Sequence, residues 1–236
     1  MNARLAVLRR IVFSACLAGL VSGLVLTGIQ MFGVLPIIVE AETYENSIGA
    51  PTLDQESSSQ HHHYDPNAAS DRYRLWWTAL ANVGIGIGFG LLLSAIYALR
   101  SPVTWAQGLA WGMGGYVTFF LAPAIGLPPG IPGDAVVALE ARQLWWVLTV
   151  TCTGVGLLLL FLGPHWMFKV LGAVLLPVPH LIGAPYPDVY TGLAPEILAK
   201  RFYLVAVIVN AIFWLVLGAT SAVLFRRLAQ KTVPES

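Results

Sequence analysis

From Ile11 to Val39 the chain carries no charged side chain, and other stretches are as bare of Asp, Glu, Lys and Arg: Leu75 to Leu99, Ser101 to Gly133, Gln143 to Phe168, Val170 to the residue before Asp188, and Phe202 to Phe225. A helix rising about 1.5 Å per residue needs about 20 apolar residues to cross a hydrocarbon core about 30 Å thick. Helices also satisfy their own backbone where no water can. These windows therefore predict an all-α polytopic membrane protein, with residues 1–236 as a single integral membrane domain. Composition agrees: 11% of residues are charged and 57% apolar, with a mean hydropathy of +0.72, whereas about a quarter of a soluble domain is charged. Five windows read as clear transmembrane helices. The window over residues 170–187 is short and holds Pro177, Pro179, Pro185 and Pro187, so it reads as a Pro-broken sixth crossing.

Lys and Arg collect on cytoplasmic loops near helix ends. Arg4, Arg9 and Arg10 precede the first window and Arg226, Arg227 and Lys231 follow the last, which predicts two cytoplasmic termini and an even number of crossings. With the broken segment crossing, Arg100 and Lys169 also fall inside. The acidic residues from Glu40 to Glu196 then fall outside. Trp76, Trp77, Trp145 and Trp146 mark the expected outer boundary and Trp105 and Trp166 the inner one. Trp214, deep in the last window, is expected to pack against a neighbour. The first apolar run is too long for a cleavable leader, so it reads as an uncleaved span. Thirteen basic against twelve acidic residues give no field to gather a polyanion, which argues against nucleic acid as a partner. No phosphate-binding loop occurs, so the chain is not its own ATPase, and nothing marks it as an enzyme. Cys16 and Cys152 lie in apolar runs without CxxC spacing and are expected to pack as small apolar residues. Gly19 and Gly23, Gly84 and Gly88, Gly86 and Gly90, and Gly108 and Gly112 are each four apart, the spacing that lets helices approach closely in lipid.

The sizeable polar segment, residues 40–74, is expected to be a mobile extracytoplasmic loop, because its composition offers no core. It holds Glu40 and Glu42 and, further on, His61, His62 and His63 beside Asp65. Imidazole with carboxylate suits borderline ions such as Co²⁺, Ni²⁺ and Zn²⁺, so this loop is either a metal collector or a solvated polar segment. Glu40 and Glu42 are placed to draw a cation towards a mouth between helices. Ionisable groups within the hydrocarbon are costly and are functional candidates by default. His180, in Leu176-Pro-Val-Pro-His180-Leu-Ile-Gly-Ala-Pro185, is the sharpest, at a broken helix of the kind that places cation sites in transporters. Its alternative role is to satisfy a freed carbonyl and lock the kink. Asn82 and Asn210 are expected to make interhelical hydrogen bonds, and His165 to anchor at the inner interface. No carboxylate falls deep inside a window, which disfavours a carboxylate proton relay. The Pro-rich stretch from Ala122 to Gly133 reads as a rigid cap at the outer side.

Pro36-Ile-Ile-Val-Glu-Ala-Glu42 with Tyr44, the adjoining His loop, Ala122-Pro-Ala-Ile-Gly-Leu-Pro-Pro-Gly130 with Pro132-Gly133, Arg142-Gln-Leu-Trp-Trp146 and Pro179-His-Leu-Ile-Gly-Ala-Pro185 follow one another in this order. Together they resemble the CbtA family, predicted membrane subunits of a cobalt transporter, over nearly the whole chain. The resemblance implies a multi-pass protein of the bacterial inner membrane, connected with cobalt uptake for cobalamin biosynthesis. It also implies a small single-span, His-containing CbtB-like partner. The expected function is capture and inward passage of Co²⁺, or of Ni²⁺ or Zn²⁺, as substrate, with no permanently bound cofactor. The expected ligands are Glu40, Glu42, His61, His62, His63, Asp65 and His180. Two alternatives remain: a non-conducting accessory or metal-delivery subunit, and a haem-holding anchor. The different expected depths of His165 and His180 argue against haem.

Overall fold

The computed structural model describes residues 3–49, 66–100, 104–135, 137–186 and 192–230. Their regular structure is helical: α1 (Ala3–Gly33), α2 (Leu35–Gly49), α3 (Pro66–Arg100), α4 (Trp105–Tyr116), a π turn (Val117–Leu121), α5 (Ala122–Gly126), α6 (Leu139–Leu162), α7 (Trp166–Leu175), α8 (Val178–Ile182) and α9 (Glu196–Gln230). Five of the described helical segments are long and apolar enough to cross a membrane: Leu5–Gly33, Arg72–Arg100, Trp105–Gly126, Leu139–Leu162 and Glu196–Gln230. The third of these joins α4, the π turn and α5. These are the five windows that the charge pattern marks out.

Prolines set the breaks. Pro36 has no N–H for the Phe32 carbonyl one turn earlier, so α1 ends at Gly33 and α2 starts afresh after a single turn residue. Pro123 would press its ring on the carbonyl of residue 119, and the helix widens into the π turn immediately before it. Thr104 starts α4 with a reciprocal cap: its hydroxyl accepts from Gln107 N at 3.2 Å, and Gln107 Oε1 accepts from Thr104 N at 2.9 Å.

The core is built by α1, α3, α4 and α9, where Leu26, Leu93, Tyr97, Tyr116, Phe213, Trp214, Leu217 and Phe225 are buried together. Lipid provides no hydrophobic drive between helices, so close backbone contact holds them. A Cβ on Gly86 would lie 2.6 Å from the Gly19 carbonyl oxygen, and one on Gly90 would lie 3.0 Å from that of Ala15. Gly108 and Gly112 meet Gly218 across α4 and α9 in the same way. Gly84 and Gly88, the other pair in α3, have no heavy atom within 4 Å and face outward. Trp214 packs as expected, stacked on Phe119 at 5.7 Å and against Phe89 at 4.6 Å. Cys152 is half-buried, but Cys16 is on the outer surface of the bundle rather than packed inside it.

The segment expected as a loop over residues 40–74 is helical at both ends, since α2 runs on to Gly49 and α3 starts at Pro66. The cause is tertiary. Ile37 and Ala41, one turn apart on α2, are buried against Ile131 and Leu198, so this helix has a core after all.

The segment expected as a broken sixth crossing over residues 170–187 overlaps the apolar helical stretch Trp166–Ile182, shorter than the five long spans, in which α7 and α8 are joined through Leu176 and Pro177. It lies antiparallel to α6. Gly172 packs on Gly156 and Leu160 lower down, and Pro179 meets Trp145 near the start of α6. At about 1.5 Å per residue this stretch spans about 25 Å, and residues 183–186 follow it without regular structure. Gly183 makes the change of direction with φ +92°, a left-handed value that a side chain would oppose. The segment thus begins beside the C-terminal end of α6 and finishes level with its N-terminal end. Arg10 of α1 lies over the Phe225 ring of α9 at 5.5 Å, so the start of α1 and the end of α9 are at one end of the bundle.

Candidate metal-handling site

His180 occupies the third position of α8, a helix fixed by the prolines around it. The donors that would pair the Ala173 and Leu175 carbonyls belong to residues 177 and 179, both prolines with none to give. The carbonyls of the two prolines are themselves engaged: Pro177 O accepts from Leu181 N at 2.9 Å, and Pro179 O from Gly183 N at 3.1 Å and Trp145 Nε1 at 3.3 Å. The His180 ring meets the Trp145 ring edge-on at 5.9 Å. Gly126 completes the niche, since a Cβ there would come within 2.5 Å of Trp145 Cζ2 and 3.4 Å of His180 Nδ1. Tyr186 Oη then donates to Gly126 O at 3.0 Å, tying the segment after α8 to the end of α5.

These contacts place His180 where the ends of α5, α6 and α8 meet, one to two turns inside the start of α6. They also reassign Trp145. Sequence pairs it with Trp146 as a lipid anchor, but Trp145 is only 5% exposed and holds the broken helix, while Trp146 is 40% exposed.

Glu40 and Glu42 lie on α2 at the same end of the bundle. Glu40 is exposed, and Glu42 is bound by Arg74 of α3, with Nη2 to Oε1 at 3.0 Å. This ion pair clamps α2 to α3. Glu196, also at this end, is held below the usual carboxylate range by a hydrogen bond from Lys200 and secondly by its charge. Asp134 accepts from Ile131 N at 2.9 Å and shapes the loop. Three acids at this end, Glu42, Glu196 and Asp134, are thus paired with a cation or a backbone donor. His61, His62, His63 and Asp65 lie outside the described residues. Among the described residues no three His, Cys, Asp or Glu side chains group closely enough to hold a metal. Glu40, Glu42 and His180 share an end of the molecule without forming a common cage. The Pro-rich stretch from Ala122 to Gly133 links the two regions, touching α2 through Ile131 and the His180 niche through Gly126.

Asn82 makes the expected interhelical bonds, donating to Thr27 Oγ1 at 3.0 Å and Gln30 Oε1 at 2.7 Å. Asn210 instead donates to Ala206 O in its own helix at 2.9 Å. His165 precedes α7, exposed and stacked on Phe168 at 6.2 Å. Sequence reasoning missed two residues, Arg74 and Trp145. Arg74 had a signal, an unpaired base in an acidic segment, whereas Trp145 had none that separates it from Trp146.

Helices throughout the described residues, five of them long and apolar enough to cross a membrane, define an all-α polytopic membrane protein. The CbtA family, described as "Probable cobalt transporter subunit", matches residues 8–226, and the chain belongs to it. No curated protein and no solved structure matches the chain. The description of a subunit implies that other subunits accompany it.

Proposed function

We propose that the chain conducts Co²⁺ inward across a bacterial inner membrane, with both termini cytoplasmic and a CbtB-like single-span protein as its partner. Glu40, Glu42, His61, His62, His63 and Asp65 gather the ion at the outer side, and His180 takes it up transiently at the niche between α5, α6 and α8. The observation that carries this reading is the position of His180: a lone imidazole at a helix break, beside the end of α6 and linked by the Pro-rich stretch to the acidic helix α2. One imidazole with oxygen donors suits a borderline ion and binds it weakly. Weak binding serves passage, because a closed four-ligand cage would retain the ion. The chain has no nucleotide loop, so the membrane potential is the simplest source of energy. Moving a divalent cation inward along 100 mV releases about twice 2.3 kcal/mol.

The test is radioactive cobalt accumulation in uptake-deficient bacterial cells expressing the chain with and without its partner. Accumulation that falls at least tenfold with His180→Ala, and less with all of His61 to His63 replaced, is the expected result. Uptake that requires the partner and ignores His180 would instead make this chain an accessory or delivery subunit.

A further inference from the structure

Ser and Thr hydroxyls inside these helices satisfy themselves by bonding back to the preceding turn. Ser22, Thr27, Thr149, Thr220 and Ser221 each donate to the carbonyl four residues earlier at 2.6 to 2.9 Å. Thr153 does not. It is 2% exposed, its Oγ1 is buried, and among the described residues that hydroxyl has no hydrogen-bond partner. A buried hydroxyl without a partner is destabilising, so its environment calls for an explanation.

Thr153 lies between two contacts of α6. On one side Trp146 meets Phe119 and Gly154 meets the Thr118 methyl, both residues of the π turn. On the other side Trp145 meets α8 and Gly156 meets α7. The π turn adds a second irregularity at the same level. Ala122 N–H donates to Val117 O, five residues back. In that register the next donor, for the Thr118 carbonyl, would be residue 123, which is a proline. Thr118 is itself buried. Both threonines are more than about 10 Å from either end of their helices at 1.5 Å per residue. The back-bonded Thr149 and Trp145 follow on the same face of α6 towards His180.

We infer that the Thr153 hydroxyl and the Thr118 carbonyl and hydroxyl form a mid-membrane oxygen site for a partly hydrated divalent cation, the next stop inward from His180. The inference rests on the transport reading. Neutral oxygens at unwound backbone replace part of an ion's hydration without trapping it, and π turns are frequent at functional sites.

Thr153→Val keeps the shape and removes the hydroxyl, Thr153→Ser keeps the hydroxyl, and Thr149→Val removes a satisfied hydroxyl nearby. In detergent, Thr153→Val is expected to melt at or above the temperature of the unsubstituted protein, and Thr149→Val below it. With His61 to His63 replaced by Ala, millimolar CoCl₂ should raise the melting temperature; the rise should vanish with Thr153→Val and persist with Thr153→Ser. Cobalt accumulation at matched protein levels should fall at least tenfold with Thr153→Val and stay within threefold with Thr153→Ser. Accumulation within twofold of the parent for Thr153→Val, or a cobalt-induced rise that survives it, would overturn the site. Failure of the parent chain to accumulate cobalt, with the Thr153-dependent rise intact, would sink the transport reading and leave the oxygen site standing.

Discussion

At the scale of single residues, pairing determines what each polar group at the α2 end of the bundle can do. Glu42 meets its Arg74 partner at a position where the two side chains are 34% and 45% exposed. An ion pair this open contributes about 0–1 kcal/mol, because water screens it and ordering two long side chains offsets the gain. Arg74→Ala is therefore expected to lower unfolding free energy by less than about 1 kcal/mol in denaturant titration. It also releases a carboxylate at the outer mouth, so cobalt accumulation at limiting concentration should rise; a fall would mean that Glu42 serves only to hold α2. Trp145 has a different role. Trp145→Phe keeps the ring against His180 but loses the bond to Pro179 O, a cost of about 1 kcal/mol. With that tie gone, accumulation should drop severalfold while His180 remains in place, and unchanged accumulation would show that the niche needs only ring packing. Spacing could not separate Trp145 from Trp146: adjacent positions on a helix face different neighbours, and those neighbours, Pro179 and Phe119, come from distant parts of the chain.

At the scale of helices, the two glycine pairs of α3 give a controlled comparison. Both fit the four-residue spacing, but Gly86 abuts the backbone of Gly19 while Gly84 faces open space. Gly86→Leu forces α1 and α3 apart and is expected to destabilise the protein by at least the roughly 1–3 kcal/mol typical of overpacking. Gly84→Leu should leave the melting temperature of the detergent-solubilised protein unchanged, and equal losses would mean that both faces are packed. Sequence alone fixes the length and apolar character of these helices, since continuous charge-free windows reflect the solvent around them. It does not fix which face is inside, because lipid-facing and helix-facing positions are equally apolar. For the same reason α2 looked like loop: Ile37 and Ala41 become a buried face only against Ile131 and Leu198, far along the chain. His180 was legible as a residue at a helix break, but its neighbours Trp145 and Gly126 come from other parts of the chain and no spacing encodes them. The missing back-bond of Thr153 is a rotamer property, and no composition or spacing encodes it.

At the scale of the whole molecule, the number of crossings depends on the weakest helix. Trp166–Ile182 falls short of the length of the other spans, yet its ends lie at opposite ends of α6: Phe168 packs against Gly163 at one, and Trp145 grips Pro179 towards the other. Residues beyond it continue outward, since Tyr186 bonds to Gly126 and Leu193 N donates to Gly133 O. The N-terminal part of α9 then packs with α2 through Leu198 and Ile37. If α2 is outside, Lys169 is inside and Glu196 outside; acids collect at the Glu196 end, where Arg74 and Lys200 pair with two of them, and the basic residues flanking the start of α1 and the end of α9 lie at the Lys169 end. In a chain with Cys16 and Cys152 replaced, Lys169→Cys should resist a membrane-impermeant maleimide in intact spheroplasts and react only after permeabilisation. Glu196→Cys and Glu40→Cys should react in both. Lys169→Cys labelling in intact spheroplasts alongside Glu196→Cys would place both ends of α7–α8 on one side. The segment would then dip and return, both termini could not share the cytoplasm, and the path from His180 to Thr153 would have to open to the same face it came from.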